Sequence, residues 1–178
     1  LVLVNQDEQM YGGTCINIGC IPSKKLLAEG AKHHDFQAAM QAKNTLIPKL
    51  RAANFAKLDN MANVQIIHAQ AQFQDEHTVI LRSAQGEQTI HAERIFINTG
   101  AASNPLNIAG ANSPRVYYSS EILSLAQRPA RLVIIGGGYI SLEFAFMYQQ
   151  FGSQVTILDN SPVFLSREDR DIHEEMLR

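Results

Sequence analysis

The stretch Arg131-Leu132-Val133-Ile134-Ile135-Gly136-Gly137-Gly138-Tyr139-Ile140-Ser141 decides the fold class. A short apolar run rich in β-branched residues reads as a strand, and the glycines behind it force a tight turn. The next stretch reads as a helix, because Ile140, Phe144, Met147 and Phe151 recur along one helix face. Gly152 then stands where a left-handed C-terminal cap belongs. A second strand, Val155 to Leu158, ends at Asp159. Strand, glycine turn, helix and strand make a βαβ unit with parallel strands. Its helix starts with unsatisfied N–H groups aimed at the turn, which is a place for a pyrophosphate; Gly136 permits the bend and Gly138 a close approach. Asp159, about twenty residues on, is placed to accept hydrogen bonds from a ribose. Ser141 stands at the third glycine position of that pattern and is small enough for helix and strand to pack. A glycine turn without a ligand is the alternative reading of the same residues.

Working back from this unit, Ser120 to Leu125 reads as a short helix, reached through a polar, proline-containing connection from Ser103 to Pro114. Upstream, Val64 to His68, Thr78 to Arg82, Gln88 to His91 and Arg94 to Asn98 read as short strands, with Ser83-Ala84-Gln85-Gly86 as a hairpin turn. From Asp35 to Leu58 the residues Phe36, Met40, Ile47, Leu50 and Ala53 fall at helical spacing, and Pro48 is expected to kink or divide that helix. Leu1 to Val4 reads as a buried strand. It leads through a polar turn to Gly12-Gly13 and a helical stretch carrying Cys15 and Cys20 near its start.

The chain has 178 residues, 46% of them hydrophobic, which supports a folded core of one or two domains. A formal net charge of −2 and the lack of like-charge runs argue against nucleic acid and anionic membrane partners. No apolar run is long enough to span a bilayer, so a soluble, cytoplasmic protein is expected. The chain opens on Leu1 without a methionine and stops in the charged run Glu174-Glu175-Met176-Leu177-Arg178, so it is expected to be a piece of a longer protein.

Two cysteines are too few for a disulfide scaffold, so a bond between them would serve chemistry. Their spacing would set them about 140° apart on a regular helix, so pairing needs an irregular helix start, which Gly19 and Pro22 make available. No metal is expected: a second cysteine pair is missing and His33, His34, His68 and His77 lack ligand spacing. Two buried, inert thiols remain an open alternative on spacing alone.

The string Gly12-Gly13-Thr14-Cys15-Ile16-Asn17-Ile18-Gly19-Cys20-Ile21-Pro22-Ser23-Lys24 closely resembles the redox motif of the class I pyridine nucleotide-disulfide oxidoreductases. This FAD-dependent family includes glutathione reductase, dihydrolipoamide dehydrogenase and mercuric reductase. The Met10-Tyr11 lead and the Ile16-Asn17-Ile18 wording are most similar to a bacterial branch that reduces reactive chlorine or hypothiocyanous acid. Thr99-Gly100-Ala101 resembles the family's second FAD-contact turn, and Gly136-Gly137-Gly138-Tyr139-Ile140 its NAD(P) motif.

The resemblance implies an α/β fold: a partial FAD-binding domain over residues 1–124, Rossmann-like with an antiparallel β-rich part, then the first half of a Rossmann-like NAD(P)-binding domain over 125–178. It implies electrons passing from NAD(P)H through FAD to a Cys15–Cys20 disulfide and on to a small oxidised substrate. Cys20 would be the thiol beside the flavin and Cys15 the interchange thiol. Gly12, Gly13 and Thr14 would lie along FAD phosphates. Lys24 would sit by the flavin ring with Glu143 as its ion-pair partner, and Tyr139 would cover the nicotinamide pocket beside Ile140. Read without the motif, Lys24 and Glu143 are solvated helix charges and Tyr139 a core aromatic.

The chain departs from the family at Asn5, where an acidic residue usually holds the FAD ribose. The cofactors implied are FAD with NADH or NADPH. Asp159 leans towards NADH, while Arg167 and Arg170 have no placement from which to argue for a 2′-phosphate contact. His173-Glu174 is not the family's C-terminal catalytic pair, which belongs to a dimerisation domain beyond this chain. The parent is expected to be a homodimer, and this piece alone is expected not to turn over. The rival from another class is a non-catalytic nucleotide-binding module with incidental cysteines.

Overall fold

The computed structural model describes residues 1–165 and 168–177; Arg167 lies outside them. The chain forms two compact units, each built from two separated segments: Leu1–Cys20 with Thr45–Asn107, and Ile21–Asn44 with Ile108–Arg178.

In the first unit, β1 (Val2–Asn5) pairs in parallel with β2 (Gln65–His68), Leu3 opposite Ile66 and Asn5 opposite His68. The first strand is half-buried rather than buried, with Val2 42% exposed. A second sheet is antiparallel, in the order β3 (Gln70–Phe73), β4 (Thr78–Ser83), β5 (Gly86–His91). Ser83 faces Gly86 across the hairpin expected there. Ala69, Val79 and Leu81 form the core, packed against Val4, Ile67, Ile90 and Ile95. The unanticipated strand β3 exposes every residue and is held by its ladder to β4.

Residues 94–98, read as a strand from their β-branched pattern, take no strand conformation, and Phe96 and Ile97 are 87% and 72% exposed. A β pattern becomes a strand only beside a neighbour that accepts its N–H and C=O groups, and this segment joins none of the described sheets.

Three helices precede β2: α1 (Gly13–Asn17), α2 (Cys20–His33) and α3 (Phe36–Asp59). Pro48 lies inside α3, which continues as one helix through it rather than dividing.

The second unit contains α4 (Ser119–Ile122), β6 (Arg131–Ile135), α5 (Tyr139–Gln150), β7 (Gln154–Leu158) and α6 (Arg170–Met176). Strands β6 and β7 are parallel in register, Arg131 opposite Gln154 and Ile135 opposite Leu158. This is the expected βαβ unit, and Gly152, at φ 86°, caps α5 with its N–H donating to Gln149 O. The core joins Leu26, Phe36, Ala39 and Met40 to Ile122, Leu123, Phe144, Met147, Tyr148 and Phe151. Of the expected stripe on α5, Phe144, Met147 and Phe151 are buried, but Ile140 is 45% exposed. Tyr148 takes the deepest place, with its hydroxyl donating to Ile122 O at 2.8 Å. A buried phenol needs such an acceptor.

Together these elements make the α/β fold expected from the sequence. Among the described residues no helix is long and apolar enough to cross a membrane.

Candidate functional site

The cysteine turn belongs to the first unit. Gly12 and Gly13 have φ of 88° and 70°, left-handed values that residues with a Cβ rarely adopt. They turn the chain into α1, which stops where Ile18 leaves helical geometry at φ −139°, its N–H donating to Thr14 O at 3.0 Å. A Cβ at Gly19 would press within 3.0 Å of that same carbonyl. Helix α2 then starts afresh at Cys20. The break that pairing of the cysteines requires is therefore built into Ile18-Gly19. Both cysteines are exposed, so the reading of two buried thiols does not hold.

Two stretches expected to contact one cofactor meet in this unit. Gly100, at φ 78°, is so placed that a Cβ on it would lie 3.4 Å from Thr14 Oγ1. Thr14, Thr99, Gly100 and Ala101 are all exposed. Asn5 ends β1 opposite His68 at the end of β2, and its side-chain amide donates to Asp7 O at 2.8 Å. Ligands of parallel α/β sheets bind beyond the carboxyl ends of the strands. Gln6, His68 and Ala69 line a shallow open pocket there with Gln70, Arg82, Ser83 and Ala84. Sequence reading missed Gln6 and His68; the signal was their position at the carboxyl ends of two strands, Gln6 just past β1 and His68 ending β2. His68 Nε2 lies 2.5 Å from the Tyr11 hydroxyl and its Nδ1 3.6 Å from Glu8 Oε1. Burial pushes the Tyr11 phenol above its ordinary range.

The glycine turn and its acid are in the second unit. Gly136, at φ 100°, donates its N–H to Leu158 O at 2.7 Å, which closes the turn against β7. The middle glycine, absent from the expected set, is the one packed against the acid. A Cβ on Gly137 would fall 2.5 Å from Asp159 Oδ2 and 2.9 Å from Cγ. At Gly138 a Cβ would meet nothing of the protein. Gly138 is the N-cap of α5 and supplies no side-chain acceptor, so the first N–H groups of α5 have no side-chain cap. Asp159 Oδ1 accepts from the Ser161 N–H at 3.3 Å. Tyr139 is 69% exposed, which overturns its reading as a core aromatic.

The same unit brings Lys24 and Glu143 together across 119 residues of sequence, Lys24 Nζ standing 2.6 Å from Glu143 Oε1. Ser23 Oγ donates to the same oxygen at 2.7 Å. Burial raises the Glu143 carboxyl, but the hydrogen bonds from Lys24 and Ser23 and the Lys24 charge outweigh it and hold it below the usual range. These two are thus not independent solvated charges. His173 contacts the Phe164 carbonyl through a ring nitrogen, and Glu174 accepts from Arg170 Nε at 2.7 Å. Arg170 is thereby engaged within α6. Among the described residues no three His, Cys, Asp or Glu side chains are grouped for a metal ion.

The chain is similar to known proteins over nearly its whole length. Residues 2–178 match the family described as "Pyridine nucleotide-disulphide oxidoreductase". Over 97% of its length the chain is 47% identical to the probable pyridine nucleotide-disulfide oxidoreductase RclA of Escherichia coli (strain K12), covering 39% of that protein. It is 32% identical to mercuric reductase of Bacillus cereus, over 94% of this chain and 28% of that one. A solved structure of the HOCl-induced flavoprotein disulfide reductase RclA from Escherichia coli matches with a TM-score of 0.91 and 46% identity, covering 99% of this chain and 40% of that one. The chain therefore spans two fifths or less of the length of these relatives.

Proposed function

The chain belongs to the pyridine nucleotide-disulphide oxidoreductase family, and on that premise we propose that Cys15 and Cys20 are the redox couple of an enzyme that reduces a small oxidant. The family uses FAD and NAD(P)H. The observation that carries the proposal is the exposed pair of cysteines set on either side of a helix break.

The residues present fit both cofactors. In the first unit, Gly12, Gly13 and Thr14 beside Thr99, Gly100 and Ala101 form a side-chain-poor surface suited to FAD. In the second, the uncapped start of α5 at Gly138, the turn at Gly136 and the Asp159 carboxylate suit a pyridine nucleotide. Tyr139 and Ile140, both exposed, would flank its nicotinamide end. Asp159 favours NADH over NADPH. We assign residues 1–124 to the FAD-binding domain and 125–178 to the NAD(P)-binding domain of the parent.

When bound, the two cofactors supply a hydride equivalent that reduces the Cys15–Cys20 disulfide. The protein's own groups do the rest. Cys20 would be the sulfur beside the flavin, its thiolate favoured by its place at the start of α2, and Lys24, paired with Glu143, would be the cation near the flavin ring. Cys15 attacks the oxidant, and Cys20 then attacks the Cys15 sulfur. With hypochlorous acid the dithiol loses two electrons and two protons, and disulfide, chloride, water and a proton result. Reactive chlorine and hypothiocyanous acid are the substrate class we assign, with a cytoplasmic homodimer as the working form.

The test uses the complete protein, purified and oxidised, under anaerobic NADH. NADH and a proton should reduce the disulfide and yield two newly alkylatable thiols per chain, and Cys20→Ser should abolish the gain. A protein that binds NADH but releases no thiol would be the nucleotide-binding module instead.

A further inference from the structure

Asn17 stands between the two cysteines and is tied in three directions. Its side-chain amide nitrogen donates to Tyr11 O at 3.0 Å and to Gly13 O at 2.8 Å, the carbonyls just ahead of Cys15. Its oxygen accepts from Arg51 Nε at 2.8 Å, and Arg51 Nη1 donates to Gln9 Oε1. One turn along α3 from Arg51, the Phe55 ring meets the Tyr11 ring edge-on with centroids 4.8 Å apart. A single face of α3 thus grips the chain before Cys15 through Tyr11 and the chain after it through Asn17. All these residues belong to the first unit.

The segment being gripped has little stiffness of its own. Helix α1 has five residues, begins at two left-handed glycines and ends at Ile18. So short a helix is unstable alone. Its shape must come from the contacts that span it. Asn17 closes the loop onto itself, and Arg51 fixes Asn17 from outside.

We propose that Asn17 and Arg51 are positioning residues that set the redox equilibrium of the Cys15–Cys20 couple; the proposal rests on those cysteines being the couple. A disulfide demands a narrow range of Cβ separations and dihedral angles, whereas two thiols tolerate a wide one. A brace that confines residues 15–20 to a geometry the bond allows raises the effective concentration of one thiol at the other. Removing the brace releases the turn and shifts the equilibrium towards the dithiol. Losing the Asn17 side chain removes both bonds it donates across the turn and the one it accepts from Arg51, so the shift is on the order of tenfold.

The experiment equilibrates the complete flavoprotein, without nucleotide, in buffers of reduced and oxidised dithiothreitol. Each turn of this exchange breaks the Cys15–Cys20 bond, closes the dithiothreitol ring and moves two electrons and two protons to the protein thiols. Acid quenching and alkylation then read the dithiol fraction by mass. Asn17→Ala should move the equilibrium on the order of tenfold towards the dithiol. Asn17→Asp, which keeps the acceptor for Arg51 but loses both donors, should match it. Arg51→Ala should shift it in the same direction by less, and the Asn17→Ala, Arg51→Ala double variant should equal Asn17→Ala, because Arg51 acts through Asn17. Thermal melting identifies any variant that has unfolded; Arg51→Ala keeps the test open if Asn17→Ala has. Folded variants within twofold of wild type would overturn the positioning role alone. A wild-type protein that forms no reversible Cys15–Cys20 disulfide would overturn the redox reading and the positioning role with it.

Discussion

The middle glycine of the turn before α5 gives a sharp test of the nucleotide site proposed for the second unit. In Gly137→Ala the new methyl would fall 2.5, 2.9 and 3.2 Å from Asp159 Oδ2, Cγ and Cβ. Carbon atoms settle at about 3.5–4.0 Å, so the carboxylate must swing by roughly 1 Å. Asp159 is exposed, so the swing costs folding only about 0.5–1.5 kcal/mol as an off-rotamer side chain. It does, however, break the bond from the Ser161 N–H and carry the oxygens away from the place proposed for the ribose. Hydrogen bonds to a charged group contribute about 1.5–3 kcal/mol, so NADH should bind roughly 10- to 150-fold more weakly. Calorimetric titration of wild type, Gly137→Ala, Asp159→Ala and the double variant checks this. The double variant should bind no worse than Asp159→Ala, since the methyl acts only by moving a carboxylate that is already gone. Equal NADH affinity in Gly137→Ala and wild type would refute the reasoning, as would independent losses that multiply in the double variant. Gly138→Ala is the companion measurement: its Cβ meets nothing of the protein, so melting should be unchanged and any lost affinity reports contact with the ligand.

Single contacts elsewhere give further outcomes. Tyr148→Phe removes the hydroxyl donor from the Ile122 carbonyl, which keeps the Leu125 N–H, and should cost about 0.5–1.5 kcal/mol in urea unfolding. Glu143→Gln should cost under about 1 kcal/mol at neutral pH, because Lys24 is 65% exposed. Glu143 is depressed below 4.5 in the fold, so its contribution is present above that pH and fades as pH falls through the folded value; melting curves of the two proteins should converge there. Lys43 behaves oppositely: burial lowers it from 10.5, while its ammonium donates to Leu123 O at 2.5 Å. The unfolded chain holds that proton more tightly, so stability should rise with pH between the folded value and 10.5, and Lys43→Met should flatten the rise.

The βαβ unit was legible because every local cue agreed, from the apolar run of β6 to the glycine that caps α5. Strand β3 was not, because Gln70–Phe73 buries nothing and is defined only by bonds to β4. The opposite error at Arg94–Asn98 has the same root: strand pattern without a pairing partner. Composition could not tell which of three adjacent glycines faces Asp159, since the contact crosses the turn. Tyr148 escaped the stripe on α5 because what makes it a core residue is an acceptor 26 residues away. The pairing of Lys24 with Glu143 had no local signal and came from family likeness, while the grip of Arg51 on Asn17 had no sequence signal of any kind.

The interleaving of the two units dictates an order of events on the ribosome. The core of the second unit needs Leu26, Phe36, Ala39 and Met40 to meet Phe144, Met147, Tyr148 and Phe151. About a hundred residues separate those groups, which at about 5–20 residues per second is a wait of roughly 5–20 s with apolar side chains uncovered. Every residue of the first unit present in this chain has emerged once Asn107 has, so the cysteine turn can take shape before the glycine turn of the second unit exists. Such long-range closure folds slowly, and the interval is when a holding chaperone has most to protect.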